Sequence, residues 1–210
     1  MKFRIIFSLL IAPFLIFSCK TSQQSTTDSS SSTPVRKKDP VAAATAVKIG
    51  NMLDQLAQEL KNVTNQNAEI LRTPEGVNIT FQPDFYFDSS SDELNANARV
   101  VVESVSDVLN RYPYTEIFIE GHADSSGNQL NNKLLSERRA KNVALFMKSK
   151  NVKADRMAVA GYGATRPIAS NATPEGRKLN RRVLVKIRAN DKKFIEAGSL
   201  VPVMTTPKSE

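Results

Sequence analysis

The chain has 210 residues but only one cysteine, one histidine and no tryptophan. A lone cysteine excludes an intrachain disulfide. A lone histidine leaves no second imidazole for a metal site, and no metal or other cofactor is expected. No G-x-S-x-G sequence occurs, so the strained elbow that exposes a serine nucleophile is missing. No uninterrupted apolar run reaches the roughly 20 residues that a membrane-spanning helix needs. The net charge is +8, yet the basic residues are scattered and no stripe of Lys and Arg interleaves with aromatics. Nucleic acid is therefore not an expected partner. What is present, 40% hydrophobic residues over this length, suits one globular domain with extra segments.

The extra segments lie first. Lys2 and Arg4 precede an apolar stretch from Ile5 to Phe17 that is broken by Ser8 and Pro13, and Ser18 and Cys19 follow. A basic start and a short apolar centre form an export signal over residues 1–18. Its removal lowers the net charge from +8 to +6, because Lys2 and Arg4 go with it. The only cysteine stands where the signal ends. LIFSC resembles a bacterial lipobox, although Phe17 occupies a position usually held by a small residue. That resemblance implies acylation of Cys19, and acyl chains bind a membrane with about 0.8 kcal/mol per buried CH₂. Residues 19–40 are rich in Ser and Thr without apolar periodicity, so they are expected to form a disordered linker. As a flexible coil the linker spans roughly 25 Å, and about 70 Å when taut.

From Val41 to about Gln66 the pattern is helical. Ala46, Ile49, Leu53, Leu56, Leu60 and Val63 form one stripe. That stripe suits a short coiled-coil seam, giving a homodimer through residues 41–66, or packing on the domain that follows. Residues 41–75 are therefore read as a helix and a connection. Pro74, Glu75 and Gly76 mark a turn, and Val77 to Phe81 alternate as a half-buried strand. Ser89 to Ser91 offer caps for a helix over about Asp92 to Tyr112, which Pro113 stops. A strand over 116–120, a helix over 130–149, a strand over 157–160, a short helix over 172–179 and a strand over 182–188 follow. Strands alternating with amphipathic helices predict an α/β (α+β) sandwich, with helices packed on a mixed sheet. The polar segment 190–210 is expected to be a flexible tail.

Three stretches carry a specific resemblance. They are EIFIEGHADSSGNQLNNKLLSERRAKNV (116–143), RMAVAGYGATRPIASN (156–171) and ATPEGRKLNRRVLVKI (172–187). Taken together, the chain resembles the OmpA-like domain family over residues 76–189. That resemblance implies a periplasmic domain holding the stem peptide of peptidoglycan by the carboxylate and amine of its diamino acid. With Cys19 acylated, it implies a lipid anchor in the outer membrane and a non-covalent tether to the cell wall. Envelope proteins remain open as partners, and adhesion or host interaction is the alternative use.

A zwitterionic diamino acid asks for one anion and one cation at matched separation. Asp124 lies in the loop HADSSGN that follows a strand. Asn132, Leu135 and Arg139 are three and four apart, so they share one face of the next helix. The resemblance gives Asp124 the ammonium and Arg139 the carboxylate, whose shape a planar guanidinium fits. It makes Asn132 a polar contact and Leu135 an apolar wall. It places Phe85 and Phe87 on the rim, and makes Arg182 a further contact from the last strand. An enzymatic reading would use His122, Asp124 and Ser125, but these crowd one short loop. A nucleophile needs a base held by a third group, so no enzyme is expected.

Overall fold

The computed structural model describes residues 40–82, 86–87 and 91–199. The expectations for the export signal, Cys19, the linker and Phe85 fall outside the described residues.

The helical stripe of the first segment forms α1, Pro40–Thr64, which ends where Asn65 and Gln66 take left-handed backbone angles. Leu53, Leu56, Ala57 and Leu60 are buried in the same core as the strands. From Leu53 to Val63 the stripe is thus occupied within the chain, whereas Ala46 is exposed, and Arg72 Nε donates to Asp54 Oδ1 at 2.8 Å from the neighbouring strand. Dimerisation through 41–66 would have to compete with that packing. Full burial of a leucine contributes about 1.5–3 kcal/mol, so separation would be costly.

A hairpin follows, with β1 at Glu69–Thr73 and β2 at Gly76–Phe81. The connection predicted for residues 65–75 therefore contains a strand. Its EILRT sequence has two adjacent apolar residues and no alternation, so pairing with β2 reveals it and periodicity does not. Next come α2 at Ala96–Arg111, β3 at Thr115–His122, α3 at Gln129–Ser149, a 3₁₀ turn at Ala154–Arg156 and β4 at Met157–Gly163. The chain continues through α4 at Pro174–Asn180, β5 at Arg182–Ala189 and α5 at Asp191–Ser199. The five strands form one mixed sheet in the order β1-β2-β5-β3-β4. β3 and β4 are parallel and the other neighbours antiparallel.

Alternation decides the layers. Val77, Ile79, Phe81, Ile117, Ile119, Val183, Val185 and Ile187 point to one face, where α1, α2 and α3 supply the rest of the core. The opposite face carries Glu120, Lys186 and Arg188. There Lys186 Nζ donates to Glu120 Oε1 at 2.9 Å and the Arg188 guanidinium lies 5.6 Å from the Phe118 ring centre. The α/β sandwich expected from the strand and helix order is the observed architecture.

Two boundaries differ from expectation. α2 starts at Ala96, because Asn95 and not a serine caps it: the Asn95 side chain accepts from Ala98 N at 2.9 Å. The preceding residues are drawn into a bridge between Phe87 and Leu94. The tail expected from residue 190 instead opens with α5. Asn190 Oδ1 accepts from Lys193 N at 2.9 Å, while its Nδ2 donates to Glu116 Oε1 at 2.7 Å. Phe194 meets Tyr114 edge-on at 6.4 Å. A polar composition hid a capped turn whose single aromatic finds a partner on another element.

Helix α3 lies very close to β3 and β4. A Cβ on Gly121 would strike the Ser136 carbonyl oxygen, and one on Gly161 would strike the Glu137 backbone. Gly121→Ala is accordingly expected to destabilise the fold by about 1–3 kcal/mol, since backbone must move. Gly50→Ala, where an added Cβ meets nothing, is expected to stabilise by about 0.5–1 kcal/mol through helix propensity. Urea unfolding of the two variants should shift in opposite directions; equal midpoints would contradict the close approach.

Candidate functional site

Asp124 follows β3 and precedes α3. Its loop is tied to the end of β4 by Ala123 N, which donates to Gly163 O at 2.9 Å. Asn128 starts α3 by accepting from Asn131 N at 3.0 Å. Asn132, one turn into the helix, donates through Nδ2 to the backbone oxygens of Ser126 at 2.7 Å and Asp124 at 3.2 Å. This predicted polar contact therefore holds the loop in shape. Ser136, one turn further, fixes the depth of the helix: its Oγ accepts from Gly163 N at 3.0 Å.

The Asp124 residue is only 8% exposed. Its Oδ1 accepts from Ser126 N and its Oδ2 from Arg181 Nη1, both at 2.8 Å. Burial alone would raise its pKa. The Arg181 guanidinium and the Ser126 N–H outweigh burial and hold the carboxyl below its ordinary range. Asp124 is therefore an anion at neutral pH. It already has a cation beside it.

Arg139 sits on the same α3 face as Asn132 and Leu135, and all three are half-buried. Arg139 Nε donates to Ser91 O at 2.9 Å, and its guanidinium lies 5.0 Å from the Phe87 ring centre. A ring face favours a cation at that distance. The two neighbouring polar side chains pin the same segment: Arg138 Nε donates to Asp92 Oδ2 at 2.6 Å and Asn142 Nδ2 to Asp92 O at 2.7 Å. Phe87 was expected on the rim. At 3% exposure it is a core residue, and it serves as a floor under Arg139.

Arg182 was expected to face the site and does not. It is buried, and its Nη1 and Nη2 donate to the carbonyls of Asn180 and Arg166, both at 3.2 Å. Arg181 closes α4 and Arg182 opens β5, and the extended backbone between them turns the two side chains apart. Of the Arg181–Arg182 pair, Arg181 reaches Asp124 and Arg182 lies on the face shared with Glu120, His122 and Lys186. The sequence reading chose Arg182, and the structure gives the contact to its neighbour Arg181. Asn171 was also missed; its Oδ1 accepts from Ser125 N at 3.2 Å across 46 residues of chain. No local signal marks such a contact.

His122 stands apart from Asp124 in chemistry. Its ring stacks on Tyr162 at 5.5 Å, and Arg166 covers that tyrosine at 3.6 Å. Both ring nitrogens are buried without a hydrogen-bond partner. Nε2 lies 3.6 Å from Glu120 Oε2, which is too long for a hydrogen bond. Burial first, then the Arg182 charge, pushes the imidazole down to about 4 against the pull of Glu120. A neutral ring makes no ion pair, so the Glu120 contact is not a salt bridge at neutral pH.

The chain can be placed among known proteins on this geometry. Residues 86–181 match the model of the OmpA family. The probable lipoprotein YiaD of Escherichia coli is 32% identical over 140 residues, which are 66% of this chain and 64% of that protein. The peptidoglycan-binding protein ArfA of Mycobacterium bovis is 41% identical over 87 residues, 41% of this chain and 27% of that protein. The chain thus spans less than two thirds of the length of either relative. Among solved structures, the cell wall anchor of the T6SS from Pseudomonas aeruginosa aligns with TM-score 0.58 and 27% identity, covering 64% of this chain and 96% of that one.

Because His122 is the chain's only histidine, its titration can be read without assignment. The ring resonances are expected to titrate near pH 4, whereas a midpoint near 6.5 would contradict the buried placement. The folded value lies below the unfolded one, so this group costs nothing above about pH 6.5. As pH falls from there towards 4 the unfolded chain gains the proton first, and stability drops by up to about 3 kcal/mol. The family match and the shared fold mark residues 86–181 as an OmpA-like domain within this chain.

Proposed function

We propose that this domain binds peptidoglycan non-covalently through the diamino acid of the stem peptide, and that it catalyses nothing. The observation that carries the reading is the pair of opposite charges flanking one turn-and-helix unit. Asp124 is a buried, ionised carboxylate at the mouth of α3, and Arg139 is a guanidinium seated on Phe87 further along that helix. A ligand ammonium would use the lone pairs of Asp124 that Ser126 and Arg181 leave. A ligand carboxylate would meet the Arg139 guanidinium, whose planar fork fits it. Asn132 and Leu135 would line the path between them. The relatives support the ligand class: one is named for peptidoglycan binding, and a solved neighbour is described as a cell wall anchor.

The proposal extends to the rest of the chain. Acylated Cys19 would hold one end in the outer membrane, residues 20–40 would set the reach and the domain would grip the wall from the periplasm. The relative described as a probable lipoprotein fits this arrangement. Linkage of membrane to wall would then be mechanical, with no cofactor.

Asp124→Ala and Arg139→Ala are each expected to weaken binding by about 2–5 kcal/mol, because truncating one member leaves a desolvated charge unmatched. Full-length protein in mild detergent, mixed with purified sacculi and centrifuged, gives the measurement. Folded variants that pellet like the wild type would remove the site from consideration. Cys19→Ala is expected to abolish incorporation of a fatty-acid probe and release the protein from membranes; continued labelling would defeat the anchor.

A further inference from the structure

Asn180 is fully buried, and every hydrogen-bonding position of its amide is used. Its Oδ1 accepts from Ile168 N at 2.8 Å and Ala169 N at 3.0 Å. Its Nδ2 donates to Ala169 O at 2.8 Å and to Asn171 Oδ1 at 2.9 Å. Reversing the amide would set NH₂ against two N–H donors, so its orientation is fixed by its partners. The same Asn171 Oδ1 accepts from Ser125 N, the residue directly after Asp124. A continuous polar path therefore runs from the end of α4, through the 168–171 loop, to the loop that carries the proposed anion.

The seat of that path is tight. A Cβ on Gly176 would strike the Ser170 carbonyl oxygen, so α4 and the 168–171 loop lie in direct backbone contact. Thr173 caps α4, its Oγ1 accepting from Gly176 N at 3.1 Å, and Arg177 Nη1 donates to Asn171 O at 3.0 Å. Asn180 is followed by Arg181, whose guanidinium reaches Asp124 Oδ2. One residue thus governs Asp124 by two routes, through Asn171 to the backbone at Ser125 and through chain continuity to the carboxylate itself.

We propose that Asn180 and Asn171 are positioning residues of the ligand site, which set the direction of the Asp124 carboxylate without touching the ligand. The proposal rests on the wall-binding reading of Asp124. The carboxylate has to point along one line to meet an ammonium while keeping Ser126 N–H and Arg181, and Asn132 and Gly163 hold the loop from the α3 and β4 sides without contacting Ser125 N. The 168–171 loop supplies the remaining constraint, through Asn171 on Ser125 N.

Asn180→Ala removes the partner of four polar groups in the interior and can unfold the domain, so the decisive variant is Asn171→Ala, whose residue is half-buried. Full-length protein in mild detergent is used throughout. Asn171→Ala is expected to stay folded with a modest fall in unfolding midpoint, because it leaves the buried Asn180 Nδ2 one acceptor short. Its sacculus binding is expected to fall about tenfold, as loss of one or two hydrogen bonds implies. Deuterium exchange in peptides covering residues 122–127 is expected to rise by about tenfold, since the opening of that loop becomes easier. Asn171→Asp keeps the acceptor and is expected to restore exchange protection, which a general loss of packing would not allow. Unchanged exchange, or raised exchange with wild-type binding, overturns the positioning role. If the wild type itself fails to pellet with sacculi, the wall-binding reading falls alone, and the exchange arm still decides whether Asn171 holds the Asp124 loop.

Discussion

The depth at which α3 sits on β3 and β4 is the constraint from which the rest of the site follows. Gly121 and Gly161 let helix backbone reach strand backbone, and the Ser136 hydroxyl locks the approach through Gly163 N. At that depth, the loop leaving β3 can be held by Asn132 from the first turn of the helix. Arg139, two turns on, is brought over Phe87 and the 91–92 segment. A methyl group at either glycine would lift the helix and move the anion and the cation relative to each other. Packing and the relative placement of Asp124 and Arg139 are therefore the same requirement in this domain.

The charges around the site are arranged so that burial does not neutralise the groups that matter. Asp124 stays ionised because a guanidinium and a backbone N–H outweigh its desolvation. Arg182, one residue from the cation that serves Asp124, is buried on the other face and satisfied by two carbonyls. His122 takes the opposite course; buried near Arg182 and stacked on Tyr162, it is neutral. Three ionisable groups within a few residues of the β3–β5 ends thus have three different fates, each set by what surrounds the side chain and not by its type.

Much of the architecture was legible in the chain. The apolar stripe of α1, the alternation of β2 and β5 and the spacing along α2 and α3 follow from periods of 3.6 and 2, which are local properties. The placement of Asp124 after β3 and of Arg139 on α3 was legible through the motif order GHAD, LSERRA, GYG and NRRV, and their role as a ligand pair is proposed. Where the reading failed, the cause was non-local. β1 is a strand because β2 lies beside it, α5 is ordered because Asn190 and Phe194 find partners on the segment around β3, and Phe87 is inside because Arg139 covers it.

The sequence by itself determined the order of the elements other than β1 and α5, the core faces of α1, β2 and β5 and the residue types of the proposed anion–cation pair, because side-chain periodicity and motif spacing are written along one dimension. Only the tertiary structure decided which of two adjacent arginines meets Asp124, that Arg182 and Phe87 are internal, and that Asn180 and Asn171 reach the Asp124 loop. Those outcomes depend on strand register and on contacts across 46 to 57 residues of chain. A side chain's partner at that separation is fixed by the packing of whole elements, and no local pattern encodes it.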